Sequence, residues 1–171
     1  MSELFKRFSN ICLLSGGPQD LPCSYFLFRV LLIAYLLSSM AGWSTELEIA
    51  QALLAAMVDG FIVLVYVYAV LQGFTKSARF LQTASAILAV GILFQLLELP
   101  LLFFLVDQGQ HAVPMEVSLL LLALYSWNLA IYAHILRQAL ETTTLVSFVL
   151  TICYVFIAMT TYQLIFPDLG A

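Results

Sequence analysis

Five long apolar stretches, separated by short polar connections, dominate the pattern of residues along the chain. At about 1.5 Å per residue, each is long enough for a helix across a hydrocarbon core of roughly 30 Å. We therefore predict an all-α membrane protein, a bundle of five transmembrane helices. The predicted spans, which form one domain over residues 25–166, are 25–43, 47–74, 80–106, 114–137 and 144–166. Because the connections are short, consecutive helices should pack as antiparallel neighbours.

The first 24 residues have a different pattern. The apolar residues at helical spacing, with polar residues on the other side, are Leu4, Phe5, Phe8, Ile11 and Cys12. Such a pattern predicts a short amphipathic helix lying in a membrane interface. Two Gly and two Pro then fall within residues 16–22, which predicts a turn or hinge before the first span.

Composition supports a membrane protein and excludes several other classes. The chain is 63% hydrophobic and only 9% charged, whereas a soluble domain carries roughly 25% charged residues. Too few charges remain to cover a surface in water. Nucleic-acid binding needs a basic cluster on a folded surface, and the sequence has none.

The distribution of the six Lys and Arg residues predicts the orientation. Once the five spans are threaded through a bilayer, all six lie on the same side of it. Cytoplasmic loops collect Lys and Arg. We therefore expect the N-terminus inside and the C-terminus outside, and the short loops are typical of a bacterial inner membrane.

Asp59 is the most unusual residue of the predicted spans. It falls at the middle of the second span, where a carboxylate costs about 2.5–3.5 kcal/mol on the insertion scale. A proton, a partner or a wet cavity must offset this cost. The sequence leaves two interpretations open, an ion or proton site, and a hydrogen-bonded Asp that holds helices together.

Other polar residues of the spans extend this candidate site. Glu98 lies in the third span, where the bend expected at Pro100 can bring it to water or to a neighbouring helix. Asn128 in the fourth span falls near the midplane and is predicted to donate to Asp59. The complete candidate intramembrane polar site comprises Asp59, Glu98, Asn128, Tyr66, Tyr125 and Tyr132.

The basic residues form a second candidate surface at the predicted inner face. Either they anchor the protein as a collar, or they contact lipid head groups or a partner. The residues of this inner-face contact are Lys6, Arg7, Lys76, Arg79 and Arg137. The two histidines, His111 and His134, fall near opposite faces, so no metal site is expected. We predict no cofactor and no enzymatic activity, because no nucleophile arrangement is present either.

Two segments resemble the Yip1-type group of small five-span membrane proteins, particularly its bacterial members. They are Ala78-Arg79-Phe80-Leu81-Gln82-Thr83 at the start of the third span and Glu98-Leu99-Pro100-Leu101 near its end. The shared architecture is an N-terminal cytoplasmic segment, five closely spaced spans and an outside C-terminus. The resemblance implies a role in organising membranes or protein complexes rather than catalysis.

These observations lead to a first functional hypothesis and an alternative. The first is a noncatalytic accessory or scaffold protein of the inner membrane, bound to a membrane-protein partner or to further copies of itself. The alternative is a small transporter or a proton- or cation-coupled channel subunit that uses Asp59 and Glu98. A membrane enzyme acting through the face of Arg79 and His134 comes third.

Overall fold

The computed structural model describes residues 2–107 and 114–166, and these residues form helices and short connections. An N-terminal helix, α1, precedes five long helices, α2 to α6. The helix bounds are α1 Ser2–Cys12, α2 Tyr25–Trp43, α3 Ile49–Gly73, α4 Phe80–Asp107, α5 Met115–Leu140 and α6 Thr144–Ile165, with short 3-10 turns at Pro18–Asp20 and Ser77–Arg79. The predicted all-helical class and the five apolar helices are confirmed, since α2 to α6 are each long and apolar enough to cross a membrane.

Local sequence signals account for several helix ends. Ser24 caps α2 by accepting a hydrogen bond from the backbone N–H of Leu27, and Thr143 caps α6 by accepting one from Val146. Such caps satisfy amides that have no partner inside the helix. Helix α5 ends at Leu140, because the next residue, Glu141, has a left-handed φ of 55° that does not continue the helix.

The helix order gives the bundle two chemically different ends. Lys76, Arg79 and Arg137 lie at one end, which we call the basic end. Glu46 and Glu116 lie at the other, where α2 ends and α5 begins, and we call this the acidic end. Which end faces the cytoplasm is a prediction from the sequence.

Helix α4 is the centre of the bundle, because α2, α3 and α5 all pack against it. Its half nearer the basic end is buried almost completely, from Thr83 to Leu88. Several of these residues are Ala or Ser, and small side chains let neighbouring helices approach closely. The most extensive packing in the bundle joins α2 to α4, two helices that are not consecutive. Short connections alone did not predict that pair.

The N-terminal segment packs onto the bundle. α1 contacts α4 and α5, and Ile11 is fully buried. After α1 the chain is held by two side chains of the bundle: Gln82 donates to the carbonyl of Leu21, and His134 Nε2 lies 2.9 Å from the carbonyl of Gly16. The predicted Gly/Pro hinge is thus a packed connection between α1 and α2.

Candidate functional site

Asp59 is bound by two hydroxyl groups of α2. Tyr35 Oη donates to Asp59 Oδ2 at 2.8 Å, and Ser39 Oγ donates to the same oxygen at 3.1 Å. Tyr35 and Ser39 are themselves buried and lie one turn apart on the same face of their helix. A carboxylate inside an apolar bundle must be hydrogen-bonded or paired. These two hydroxyls therefore offset part of the cost of burying Asp59.

Close approach of α2 to α3 makes these hydrogen bonds possible. Gly60, next to Asp59, is buried, and a Cβ atom at this position would lie 2.9 Å from Cδ2 of Leu36 on α2. The missing side chain lets the two backbones come together. Tyr35 and Ser39 were not among the residues predicted from the sequence, although polar residues at helical spacing inside an apolar span were a usable signal.

A neighbouring hydrogen bond joins α2 to α4. Ser38 Oγ contacts Gln95 Oε1 at 2.5 Å and the carbonyl of Tyr35 at 3.0 Å. Ser38 and Ser39 thus point to different helices, one toward α4 and the other toward α3. The turn of α2 that carries them fixes the relative position of Asp59 and Gln95.

Asp59 and Glu98 line one cavity of about 340 Å³ near the acidic end, which we call the polar cavity. It lies among α2, α3, α4, α5 and α6. Trp43 contributes from the end of α2, and Glu46 contributes from the connection that follows. The residues of its wall are Ser39, Gly42, Trp43, Thr45, Glu46, Asp59, Gln95, Glu98, Leu102, Tyr125 and Tyr162. Three carboxyl groups therefore face a single space.

Aromatic rings form another part of the wall of the polar cavity. Trp43 and Tyr162 pack with ring centroids 5.0 Å apart, and Tyr125 lines the same space from α5. Tyr162, which α6 brings next to Trp43, was not among the residues predicted from the sequence. Among the residues that the structure describes, no Lys or Arg lies on this wall. The cavity is therefore acidic and aromatic in character.

The predicted polar site divides into two groups in the structure. Asp59, Glu98 and Tyr125 line the polar cavity, whereas Tyr66 and Tyr132 line a separate small cavity closer to the basic end, together with Tyr154. Tyr66 donates to the carbonyl of Leu150 and so ties α3 to α6. Within the described residues, the hydroxyls of Tyr35 and Ser39 bind Asp59, and the predicted bond from Asn128 is not among its hydrogen bonds.

The predicted inner-face cations mostly have partners within the chain. Lys76 and Arg79 both form ion pairs with Glu141, and Arg79 also donates to the carbonyl of Ala139 at the end of α5. These bonds to Lys76 and Arg79 hold the pKa of Glu141 below its ordinary value. Arg79 thus joins the start of α4 to the end of α5, where the backbone carbonyls of the helix end carry partial negative charge.

The other basic residues of that set lie around the same end. Arg137 donates to Thr144 Oγ1 at 3.3 Å, and Arg7 donates to the carbonyl of Asp20. Lys6 is exposed on α1. His134 and Arg79 were the residues of the third functional hypothesis. His134 contacts the carbonyl of Gly16, and Arg79 contacts Glu141 and Ala139, so each of the two side chains has a structural partner. His111 lies outside the described residues.

No protein-family model, curated protein or solved structure matches this chain. The resemblance to Yip1-type proteins therefore stays a prediction from the sequence, and the functional argument rests on the geometry of the polar cavity.

Proposed function

We propose that this chain is an integral membrane protein whose polar cavity binds a cation or a proton, as a small transporter or as a cation-coupled channel subunit. The observation that carries the proposal is that Asp59 and Glu98, from two different helices, line the same cavity. Ionisable residues within membrane spans usually face a bundle interior or a wet cavity and mark ion pathways. The proposed function is noncatalytic.

The composition of the wall supports a positively charged ligand. Asp59, Glu98 and Glu46 supply carboxyl oxygens, while the hydroxyls and the amide of Ser39, Thr45 and Gln95 supply further oxygen atoms. Hard cations prefer oxygen ligands of these kinds. Two carboxyl groups that share a space can also share a proton, because their negative charges disfavour each other. The acidic end would be the entry side.

Flux through reconstituted protein tests this proposal. The purified chain is placed in liposomes, and proton and monovalent-cation flux is measured for the wild type, for Asp59→Asn and for Glu98→Gln. We expect both variants to lose flux while retaining the helical circular-dichroism spectrum. Glu116→Gln is the matched control, because Glu116 is exposed in the first turn of α5 and lies outside the cavity wall. Wild-type flux in both Asp59→Asn and Glu98→Gln would overturn the proposal.

A binding measurement uses the tryptophan of the cavity. The chain has two Trp residues, so Trp127→Phe leaves Trp43 as the single reporter on the cavity wall. Titration with monovalent cations at fixed ionic strength should change its fluorescence, and Asp59→Asn should weaken the apparent affinity. A response that is identical in the two proteins would contradict binding at Asp59.

The accessory or scaffold role remains the alternative. Its support is that α6 leaves most of its apolar faces exposed, with 11% of its most apolar stretch buried in the bundle. Such faces fit either lipid or a partner helix, as in other membrane bundles. Native mass spectrometry of gently extracted protein separates the two proposals: a stoichiometric heterologous partner would favour the accessory role. A monomer with cation flux would favour transport.

A further inference from the structure

An apolar groove of about 480 Å³ lies on the side of the bundle that carries α1. Residues of α1, α2, α4 and α5 line it, among them Phe8, Cys12, Leu93 and Trp127. Its volume falls within the range of about 300–1,000 Å³ found for pockets that hold small organic ligands. The groove is separate from the polar cavity, and the proposed function does not use it.

The packing of α1 creates this groove. Trp127 Nε1 donates to the carbonyl of Cys12 at 3.3 Å, so the end of α1 contacts the middle of α5. Leu93, on the same wall, falls at the middle of α4. If α4 and α5 span the bilayer, the groove lies near mid-depth, about 15 Å from the surface, which is half of a hydrocarbon core of roughly 30 Å.

The charges on α1 indicate what kind of molecule would occupy the groove. Phe8 and Ser9 face the groove, and Lys6 and Arg7 precede them directly on the same helix. Both cations are exposed, and Arg7 also bonds to the carbonyl of Asp20. The Asp20 carboxylate accepts a hydrogen bond from the backbone N–H of Gly17 at 2.9 Å, and among the described residues it forms no ion pair with Lys6 or Arg7. An apolar slot next to two cations is complementary to an acyl chain with an anionic head group.

We propose that the groove binds one acyl chain of an anionic phospholipid from the leaflet that contains the basic end, with its phosphate near Lys6 and Arg7. An acyl chain starts at the head-group level and ends near the bilayer midplane, which is the depth of Trp127 and Leu93. The bound lipid would complete the packing of α1 against α4 and α5 and fill the space that the side chains leave open.

Quenching of Trp127 fluorescence by brominated lipids tests the proposal directly. Trp43→Phe leaves Trp127 as the single tryptophan of the full-length chain. This protein is reconstituted into vesicles that contain a fixed fraction of brominated phosphatidylglycerol or, separately, of brominated phosphatidylcholine. We expect phosphatidylglycerol to bind next to Trp127 roughly thirtyfold more tightly, because each of the two cations contributes about 1 kcal/mol of attraction to anionic lipid near a membrane surface.

Two variants and one control make the result specific. Lys6→Gln with Arg7→Gln should bring the two lipids to equal quenching. Ala89→Phe, which adds a ring on the groove wall, should reduce quenching by both lipids while the circular-dichroism spectrum is unchanged. In the control, Trp127→Phe leaves only Trp43, which lies on the wall of the polar cavity and should show no lipid preference.

The opposite results would overturn the proposal. Equal quenching of Trp127 by the two lipids in the Trp43→Phe protein would exclude an anionic lipid in the groove. A preference that survives the double substitution of Lys6 and Arg7 would exclude the assigned head-group contact. Protection of Trp127 from both brominated lipids, with a dimer in native mass spectrometry, would show that a second copy of the chain fills the groove.

Discussion

Tyr35 donates a hydrogen bond to Asp59 at 2.8 Å, and this bond joins α2 to α3 in the interior of the bundle. The tyrosine is 3% exposed, so its hydroxyl is held inside the bundle. Its ring packs over Gly91 of α4, which places one side chain in contact with three helices. The position of Asp59 on the wall of the polar cavity therefore depends on residues from α2 and α4 as well as on its own helix.

Removing the Tyr35 hydroxyl should destabilise the bundle. Tyr35→Phe keeps the ring but leaves Asp59 with one fewer donor, and we expect a loss of about 1 kcal/mol in the free energy of unfolding. Thermal unfolding in detergent measures it. In an Asp59→Asn background the same change should cost less, since the carboxyl acceptor is already absent. Equal costs in the two backgrounds would contradict the contact. Tyr25→Phe, at an exposed position, is the control.

A side chain at position 91 should displace Tyr35. A Cβ atom there would lie 2.4 Å from Cε2 of Tyr35 and 3.2 Å from the hydroxyl oxygen of Tyr132. Gly91→Ala should therefore destabilise the protein by about 1–3 kcal/mol through overpacking and should weaken the response of Trp43 to cations. Gly73→Ala is the matched control, because a Cβ atom there meets nothing within 4 Å. Similar unfolding temperatures for the two variants would show that the packing at Gly91 tolerates a methyl group.

The ion pairs of Glu141 should give a pH-dependent contribution to stability. Hydrogen bonds from Lys76 and Arg79 lower the pKa of Glu141 in the folded protein. Because the pKa is lowered, the ionised form of Glu141 stabilises the folded state at pH values above the ordinary pKa of a glutamate. This contribution disappears as the pH falls through the lowered pKa. Glu141→Gln should therefore unfold at a slightly lower temperature than the wild type at neutral pH, and the two should converge in acid.

The backbone at Glu141 allows a second comparison. Because its φ is 55°, a glycine relieves conformational strain there while it removes the same ion pairs. Glu141→Gly should be more stable than Glu141→Gln at every pH and should show the same weakened pH dependence. A stability difference between wild type and Glu141→Gln that persists in acid would mean that the side chain acts otherwise than through its charge. The stability difference between the wild type and Glu141→Gln at neutral pH should be small, because exposed ion pairs contribute little to stability.

Thiol labelling tests the predicted orientation. All three native cysteines are first replaced by serine. A cysteine is then introduced at Glu48, exposed at the acidic end, or at Ser77, exposed at the basic end. In intact cells, a membrane-impermeant reagent should label Glu48→Cys and spare Ser77→Cys until the cells are opened. The reverse pattern would place the basic end outside.

The sequence by itself determined the helices of this protein. Five apolar stretches with short polar connections specify five helices, and the observed bounds differ from the predicted ones by a few residues at most, as for α5, which ends at Leu140. These features depend on hydrophobicity, spacing and caps such as Ser24, all of which are local properties of the chain. The sequence also singled out Asp59 and Glu98, because a carboxyl group inside an apolar stretch is conspicuous without any knowledge of its neighbours.

Only the tertiary structure decided which polar groups meet. The sequence pointed to Asn128 as the donor to Asp59, whereas the structure supplies Tyr35 and Ser39, because α2 packs between α3 and α4. Likewise, Tyr66 lies seven residues from Asp59 but bonds to α6. A helical pattern gives the face of the helix on which a residue lies. How each helix is rotated, and which neighbouring helix that face meets, depend on side-chain packing across the bundle. That packing also placed α1 against α4 and α5 and so created the apolar groove, which no local pattern encodes.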